Sequence, residues 1–297
     1  MIRALLLCLV LAACSQPAPE TPSDPIVFAA EDIGHSKSVV IGIPGALTSI
    51  RVLFPIEDFR TPDRTIAYYR LPGYDDHPSG APFSIGQAAG ELAAFVQRGG
   101  FENVYFVGHS TGAAIALESA KMLRTSQPGV KVHVAGISTA LPAPQPILSG
   151  FRSAGGTIAA AFRARSLHPR TVWIEQYRRV SYGPDASHHA EVIAKANELV
   201  RQRGQQIQLP EKGLGRKHFG AIIGWRNQTP ERLEGVDIAF WHGDVDPVFR
   251  STAVARFVKT LPKAELNVLE NHGHVVLLTY PEIWDEMANR WAFERAK

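Results

Sequence analysis

The segment Val104-Tyr105-Phe106-Val107-Gly108-His109-Ser110-Thr111-Gly112 constrains the fold of this chain more than any other stretch. An apolar run enters a G-x-S-x-G sequence, and a helical pattern over 113–123, carrying Ile115, Leu117 and Met122, leaves it at once. A strand passes directly into a helix only through a tight bend, where a side chain at Gly108 or Gly112 would collide with the elements the bend brings together. Such a bend lifts the Ser110 hydroxyl to the helix N-terminus, where aligned peptide dipoles favour a developing anion. Ser110 is therefore the candidate nucleophile.

A serine hydroxyl is a weak nucleophile at neutral pH and needs a base oriented by an acid. Candidates for both follow in the chain. Asp244 and Asp246 lie in Phe240-Trp241-His242-Gly243-Asp244-Val245-Asp246-Pro247-Val248, just past an apolar run. His272 and His274 lie in Asn271-His272-Gly273-His274-Val275-Val276, just past another run. Loops at the carboxyl ends of parallel strands are where open α/β sheets keep their sites.

Around these motifs, short β-rich runs alternate with helical ones. Strands are predicted near 26–29 and over 38–43, 64–71, 104–107, 130–137, 236–241 and 265–269. Helices are predicted over 84–98, capped by Ser84 and stopped by Gly99-Gly100, and over 113–123, 252–261 and 281–294. Such alternation predicts an α/β fold, a mostly parallel central sheet flanked by helices. The rhythm fails over 142–235, where helical patterns are separated by Gly and Pro; the clearest, 185–203, buries Val192, Ile193, Ala196, Leu199 and Val200. This stretch is expected to be an inserted, mainly helical lid dividing a core of 26–141 and 236–297.

Taken together, these residues resemble the α/β-hydrolase fold serine hydrolases of the lipase and esterase type over nearly the whole chain. In that family the acid stands three residues after a glycine and before Pro, which favours Asp246 over Asp244; the histidine follows a glycine, which favours His274 over His272. The resemblance implies a triad of Ser110, Asp246 and His274, and an oxyanion hole made by two backbone N–H groups. One is that of Thr111, after the nucleophile. The other is that of Ile43, if Ile41-Gly42-Ile43-Pro44-Gly45 takes the place of the family's His-Gly-x-Pro turn, although Ile41 replaces the histidine. His109 is expected to pack against neighbouring loops. Aromatic residues of the insertion, among them Phe151, Phe162, Trp173, Tyr177, Tyr182 and Trp225, are candidates for an acyl pocket.

The expected chemistry is cleavage of carboxylic esters through an acyl-enzyme, without metal or other cofactor, on a small-molecule or lipid ester. Thioester or amide cleavage on the same triad is the alternative. A metal-dependent hydrolase is suggested by His242-x-Asp244-x-Asp246 and His272-x-His274, although neither run belongs to a longer metal signature. Nucleotide chemistry is disfavoured by the absence of G-x-x-x-x-G-K-[ST] and of G-x-G-x-x-G after the first strand. With 31 basic and 28 acidic residues and no basic run, the chain lacks a nucleic-acid footprint.

The N-terminus has the layout of a secretory signal, with Arg3 followed by an apolar run over 4–13. Its end, Leu11-Ala12-Ala13-Cys14, resembles the lipobox of bacterial lipoproteins. That implies a signal over 1–13, acylation at Cys14, a Pro-rich tether over 14–25 and a lipid-anchored protein of the cell envelope. Ser15 after Cys14 favours the outer membrane, facing the periplasm. The remaining cysteine, Cys8, falls inside the signal, so the mature chain would hold no disulfide.

Overall fold

A computed structural model describes residues 24–28, 35–183 and 210–293. The signal, Cys14, most of the tether and the helix expected over 185–203 lie outside the described residues. The strands are β1 (Ile26–Phe28), β2 (Ser38–Ile43), β3 (Arg64–Tyr69), β4 (Asn103–His109), β5 (Lys131–Ile137), β6 (Asp237–Gly243) and β7 (Glu265–Leu269). They form one sheet in the order β1-β3-β2-β4-β5-β6-β7, parallel throughout except for β1, which runs antiparallel along β3.

The helices are α1 (Ile85–Gly99), α2 (Thr111–Ser126), α3 (Gln145–Ala164), α4 (Pro169–Tyr182), α5 (Leu214–Gly224), α6 (Ser251–Val258), α7 (Val276–Thr279) and α8 (Ile283–Arg290). Successive strand residues point to opposite faces, so the apolar runs build two cores. Ile41, Phe106, Val134 and Phe240 bury against Leu92 of α1, Ile115 of α2 and Val254 of α6. Val40, Val107, Ile137 and Trp241 bury on the other side with Leu277 of α7 and Ile283 and Met287 of α8. Each fully buried aromatic such as Phe106 or Phe240 contributes about 1.5–3 kcal/mol by leaving water.

The predicted strands recur with small changes of boundary. Ser84 caps α1, its hydroxyl accepting from the Gln87 N–H at 3.1 Å. Two elements differ. Residues Ile50–Phe59 form a 3-10 helix that the apolar periodicity did not signal, because Pro55 lacks a donor and interrupts the α pattern. The closing helix expected over 281–294 is shorter, and a single turn, α7, precedes it directly after the His274 loop. Between β5 and β6 the described residues form α3, α4, α5 and a short 3-10 turn at Pro230–Leu233, with no strand among them.

Candidate active site

β4 ends at His109, and Ser110 turns the chain with φ 52° and ψ −112° before α2 begins at Thr111. A non-glycine residue at positive φ stores about 1–3 kcal/mol of strain and persists only where its surroundings over-determine it. Here the Ser110 N–H donates to the Ile137 carbonyl at 2.8 Å, and the Ser110 carbonyl accepts from the N–H groups of Ala113 and Ala140 at 3.1 and 3.0 Å. A Cβ on Gly108 would stand 2.5 Å from the Ala113 nitrogen, and one on Gly112 would be driven into the Ile43 carbonyl. The bend therefore closes only with glycine at both places.

Three loops, after β4, β6 and β7, bring Ser110, Asp246 and His274 together. His274 Nε2 lies 3.0 Å from Ser110 Oγ, and its Nδ1 lies 2.7 Å from Asp246 Oδ2. Asp246 Oδ1 accepts from the Val248 and Phe249 N–H groups at 2.6 and 3.1 Å. Burial alone would raise the Asp246 carboxyl, but the facing His274 and His242 imidazoles and the Val248 N–H hold it below its ordinary value. An ionised Asp246 accepts only, so it selects the tautomer with the proton on His274 Nδ1 and leaves Nε2 free to accept from Ser110. The His274 N–H donates to the Val180 carbonyl at 2.8 Å, which ties the histidine loop to the end of α4.

Two further histidines stand behind this line. His242 is fully buried; its Nε2 donates to the Phe249 carbonyl at 2.8 Å and lies 3.3 Å from Asp246 Oδ2. His109 donates from Nε2 to the His274 carbonyl at 3.2 Å, and burial followed by the neighbouring His274 lowers its pKa to about 3. It is a neutral packing group, as expected. Asp244 and His272 point elsewhere, Asp244 Oδ1 accepting from the Asn271 N–H at 2.7 Å and His272 Nδ1 meeting Thr279 Oγ1 at 2.9 Å. Among the described residues, no group of three or more His, Cys, Asp or Glu side chains could hold a metal ion.

Thr111 opens α2 directly after Ser110, but Ile43 does not stand in the facing loop. It is the last residue of β2, paired with Gly108 and fully buried, and it meets the elbow through its carbonyl oxygen. β2 keeps its ladder with β4 through Ile43, so the chain turns toward Ser110 only after Pro44-Gly45. A Cβ on Gly45 would lie 3.1 Å from Ser110 Cβ, and Ala46, Leu47 and Thr48 border the cavity over the serine. The Thr48 N–H donates to the Gly45 carbonyl at 3.1 Å, and the Leu47 N–H to His218 Nδ1 at 3.0 Å. The N–H groups of Ala46 and Thr111 meet no acceptor among the described residues.

The cavity holds about 130 Å³. Its far wall is one stripe of α4, Trp173, Gln176, Tyr177 and Val180, at helical spacing. Of the aromatic residues expected to line it, Trp173 and Tyr177 do so. Phe151 and Phe162 are 75% and 79% exposed on α3, whereas Tyr182 and Trp225 are buried in the two cores. A wider depression of about 520 Å³, among Phe54, Asp58, Trp284 and Asp285, contains neither Ser110 nor His274. His218 and Leu47 carried no signal in the sequence as parts of this site, because their contact joins positions 171 apart, and His242 was signalled only as a possible metal ligand.

The family model described as "Alpha/beta hydrolase family" matches residues 40–286. No curated protein matches the chain in sequence. Among solved structures it is similar to a carboxylesterase study protein from the ammonia-oxidizing thaumarchaeon Nitrososphaera gargenis, with 16% identity, 92% of this chain and 96% of that chain covered, and a TM-score of 0.66. It is also similar to an alpha/beta hydrolase enzyme from a Medee basin deep-sea metagenome library, with 14% identity, 92% and 96% covered, and a TM-score of 0.65. A thermophilic esterase from Thermogutta terrifontis matches at 16% identity, with 90% and 92% covered and a TM-score of 0.60.

Proposed function

We propose that this chain, which belongs to the alpha/beta hydrolase family, is a serine hydrolase cleaving carboxylic esters through an acyl-enzyme on Ser110. The continuous hydrogen-bonded line from Ser110 Oγ through the His274 ring to Asp246, at the floor of a small cavity, carries this conclusion. Similarity to structures described as a carboxylesterase and an esterase supports the ester as the bond cleaved.

His274 Nε2 takes the Ser110 proton as Oγ attacks the carbonyl carbon, and Asp246 remains ionised and steadies the imidazolium. The same ring returns the proton to the leaving alcohol. Water, deprotonated in turn by His274, then releases the acid and frees Ser110. The oxyanion takes hydrogen bonds from Thr111 and, in place of Ile43, from Ala46, whose N–H stands in the loop facing the serine. Losing one such donor costs about 10²–10³ in turnover.

The cavity of about 130 Å³ is small beside the roughly 300–1,000 Å³ of sites that take drug-sized ligands, which fits a short apolar acyl group. Cys14 is the residue we assign to acylation, tethering the enzyme to the envelope.

Turnover of p-nitrophenyl acetate tests the assignment. Ser110→Ala should lower kcat by about 10⁴ or more at unchanged folding. Near-normal turnover by that variant would overturn it.

A further inference from the structure

His218 sits in the middle of α5, fully buried, and no step of the reaction uses it. Its ring nevertheless makes two hydrogen bonds to backbone far away in the chain. Nδ1 accepts from the Leu47 N–H at 3.0 Å, and Nε2 donates to the Pro72 carbonyl at 3.0 Å. The first partner is 171 positions away and the second 146. The rings of Phe83 and Tyr74 flank it with centroids 5.3 and 6.1 Å away. Next to it, Lys217 Nζ donates to the Ala81 carbonyl at 2.7 Å and to that of Ser79, so α5 is fixed to the loop following β3 at two points.

These bonds require one chemical form. A ring that accepts at Nδ1 and donates at Nε2 is neutral, with its proton on Nε2; a protonated ring would turn a second donor against the Leu47 N–H. Burial keeps it in that form, lowering its pKa to about 4.

Leu47 is one residue past Ala46, and both border the cavity over Ser110. Fixing the Leu47 N–H fixes the plane of the Ala46–Leu47 peptide, leaving a single pair of backbone dihedrals between that plane and the Ala46 N–H. The Leu47 and Thr48 N–H groups are taken up by His218 and Gly45, and the Ala46 N–H, on the same loop beside the cavity, meets no acceptor among the described residues. We propose that His218 is a positioning residue: from the inserted helix α5 it holds the loop of Ala46 and Leu47 so that the Ala46 N–H meets the oxyanion. The proposal rests on the serine-hydrolase assignment above and extends it by making the insertion part of the oxyanion site.

Two variants separate the two bonds of the ring. In His218→Asn, the side-chain oxygen takes the place of Nδ1 and can accept from Leu47, while Pro72 loses its donor. In His218→Gln, the amide nitrogen takes the place of Nε2 and can donate to Pro72, while Leu47 loses its acceptor. With p-nitrophenyl acetate, His218→Gln should lose about 10–100-fold in kcat with KM within about threefold of wild type, and His218→Asn should keep kcat within about threefold. Affinity for a short alkylboronic acid, which forms a tetrahedral anion on the serine, should fall in step with kcat. Equal losses in the two variants, losses that simply follow melting temperature, or wild-type kcat in His218→Gln would each overturn the proposal. If His218→Gln does not fold, His218→Asn decides alone: kcat and boronic-acid affinity both within about threefold of wild type support the proposal, and a larger loss in either overturns it. Absence of Ser110-dependent hydrolysis in the wild-type enzyme would instead overturn the assignment of function itself.

Discussion

At Ser110 the chain holds a backbone conformation that serine rarely adopts, and three backbone hydrogen bonds and two glycines keep it there. The cost of disturbing this bend is predictable. Gly112→Ala pushes a Cβ against the Ile43 carbonyl, so β2 or α2 must shift; overpacking of this kind destabilises by about 1–3 kcal/mol, read as a lowered melting temperature. Asp246→Asn keeps the shape of the acid but lets its amide donate toward His274 Nδ1, which selects the wrong tautomer. Turnover should fall by about 10⁴ while KM and melting temperature change little. Ser110, Asp246 and His274 were legible in the sequence because each sits in a short pattern of its own, beside a glycine and after an apolar run. Ile43, expected in the loop facing Ser110, ends β2 instead, because sequence does not say where a strand stops pairing and a loop begins. His218 was illegible for another reason: nothing within α5 announces partners 146 and 171 positions away.

The elements were read most reliably where burial is complete. β4, β5 and β6 are covered on both faces, so their apolar runs are nearly continuous and their positions follow from sequence. The 3-10 helix at Ile50–Phe59 and the break between α7 and α8 were missed, since a proline and a single turn leave little periodic signal. At the amino ends of β5 and β6, Asp237 joins His133 at 3.1 Å and also Arg290 of α8, which reaches on to Glu265 of β7 at 2.7 Å. The hydrogen bond with His133, then that with Arg290, hold Asp237 at about 2, below its ordinary 3.8, against the effect of burial. A carboxylate lowered by folding stabilises fully above its unfolded value and loses that contribution as pH falls through its folded value. Denaturant melts of wild type should therefore lose stability between about pH 4 and 2 more steeply than those of Asp237→Asn. Identical slopes would show that this cluster contributes nothing.

Across the whole molecule, loops at the ends of the sheet strands carry Ser110, Asp246 and His274, and helices between β5 and β6 border the cavity beside them. α4 walls the cavity and accepts the His274 N–H through Val180, and α5 holds the loop of Leu47 through His218. The failure of strand rhythm over 142–235 agrees with the helices α3, α4 and α5 described between β5 and β6, but where they lie against the sheet was not legible, because that depends on contacts between residues far apart. Among p-nitrophenyl esters, kcat/KM should peak at short acyl chains, in keeping with the small cavity, and a peak at long chains would contradict that fit. Envelope attachment is tested by metabolic labelling with palmitate, which Cys14→Ser should abolish. The most direct measurement for the account as a whole is the reaction of the intact protein with a fluorophosphonate, followed by peptide mass spectrometry. The expected result is one adduct per chain on the peptide carrying Ser110, lost in Ser110→Ala and strongly slowed in His274→Ala; an unlabelled wild-type protein, or an adduct that persists in Ser110→Ala, would contradict the account.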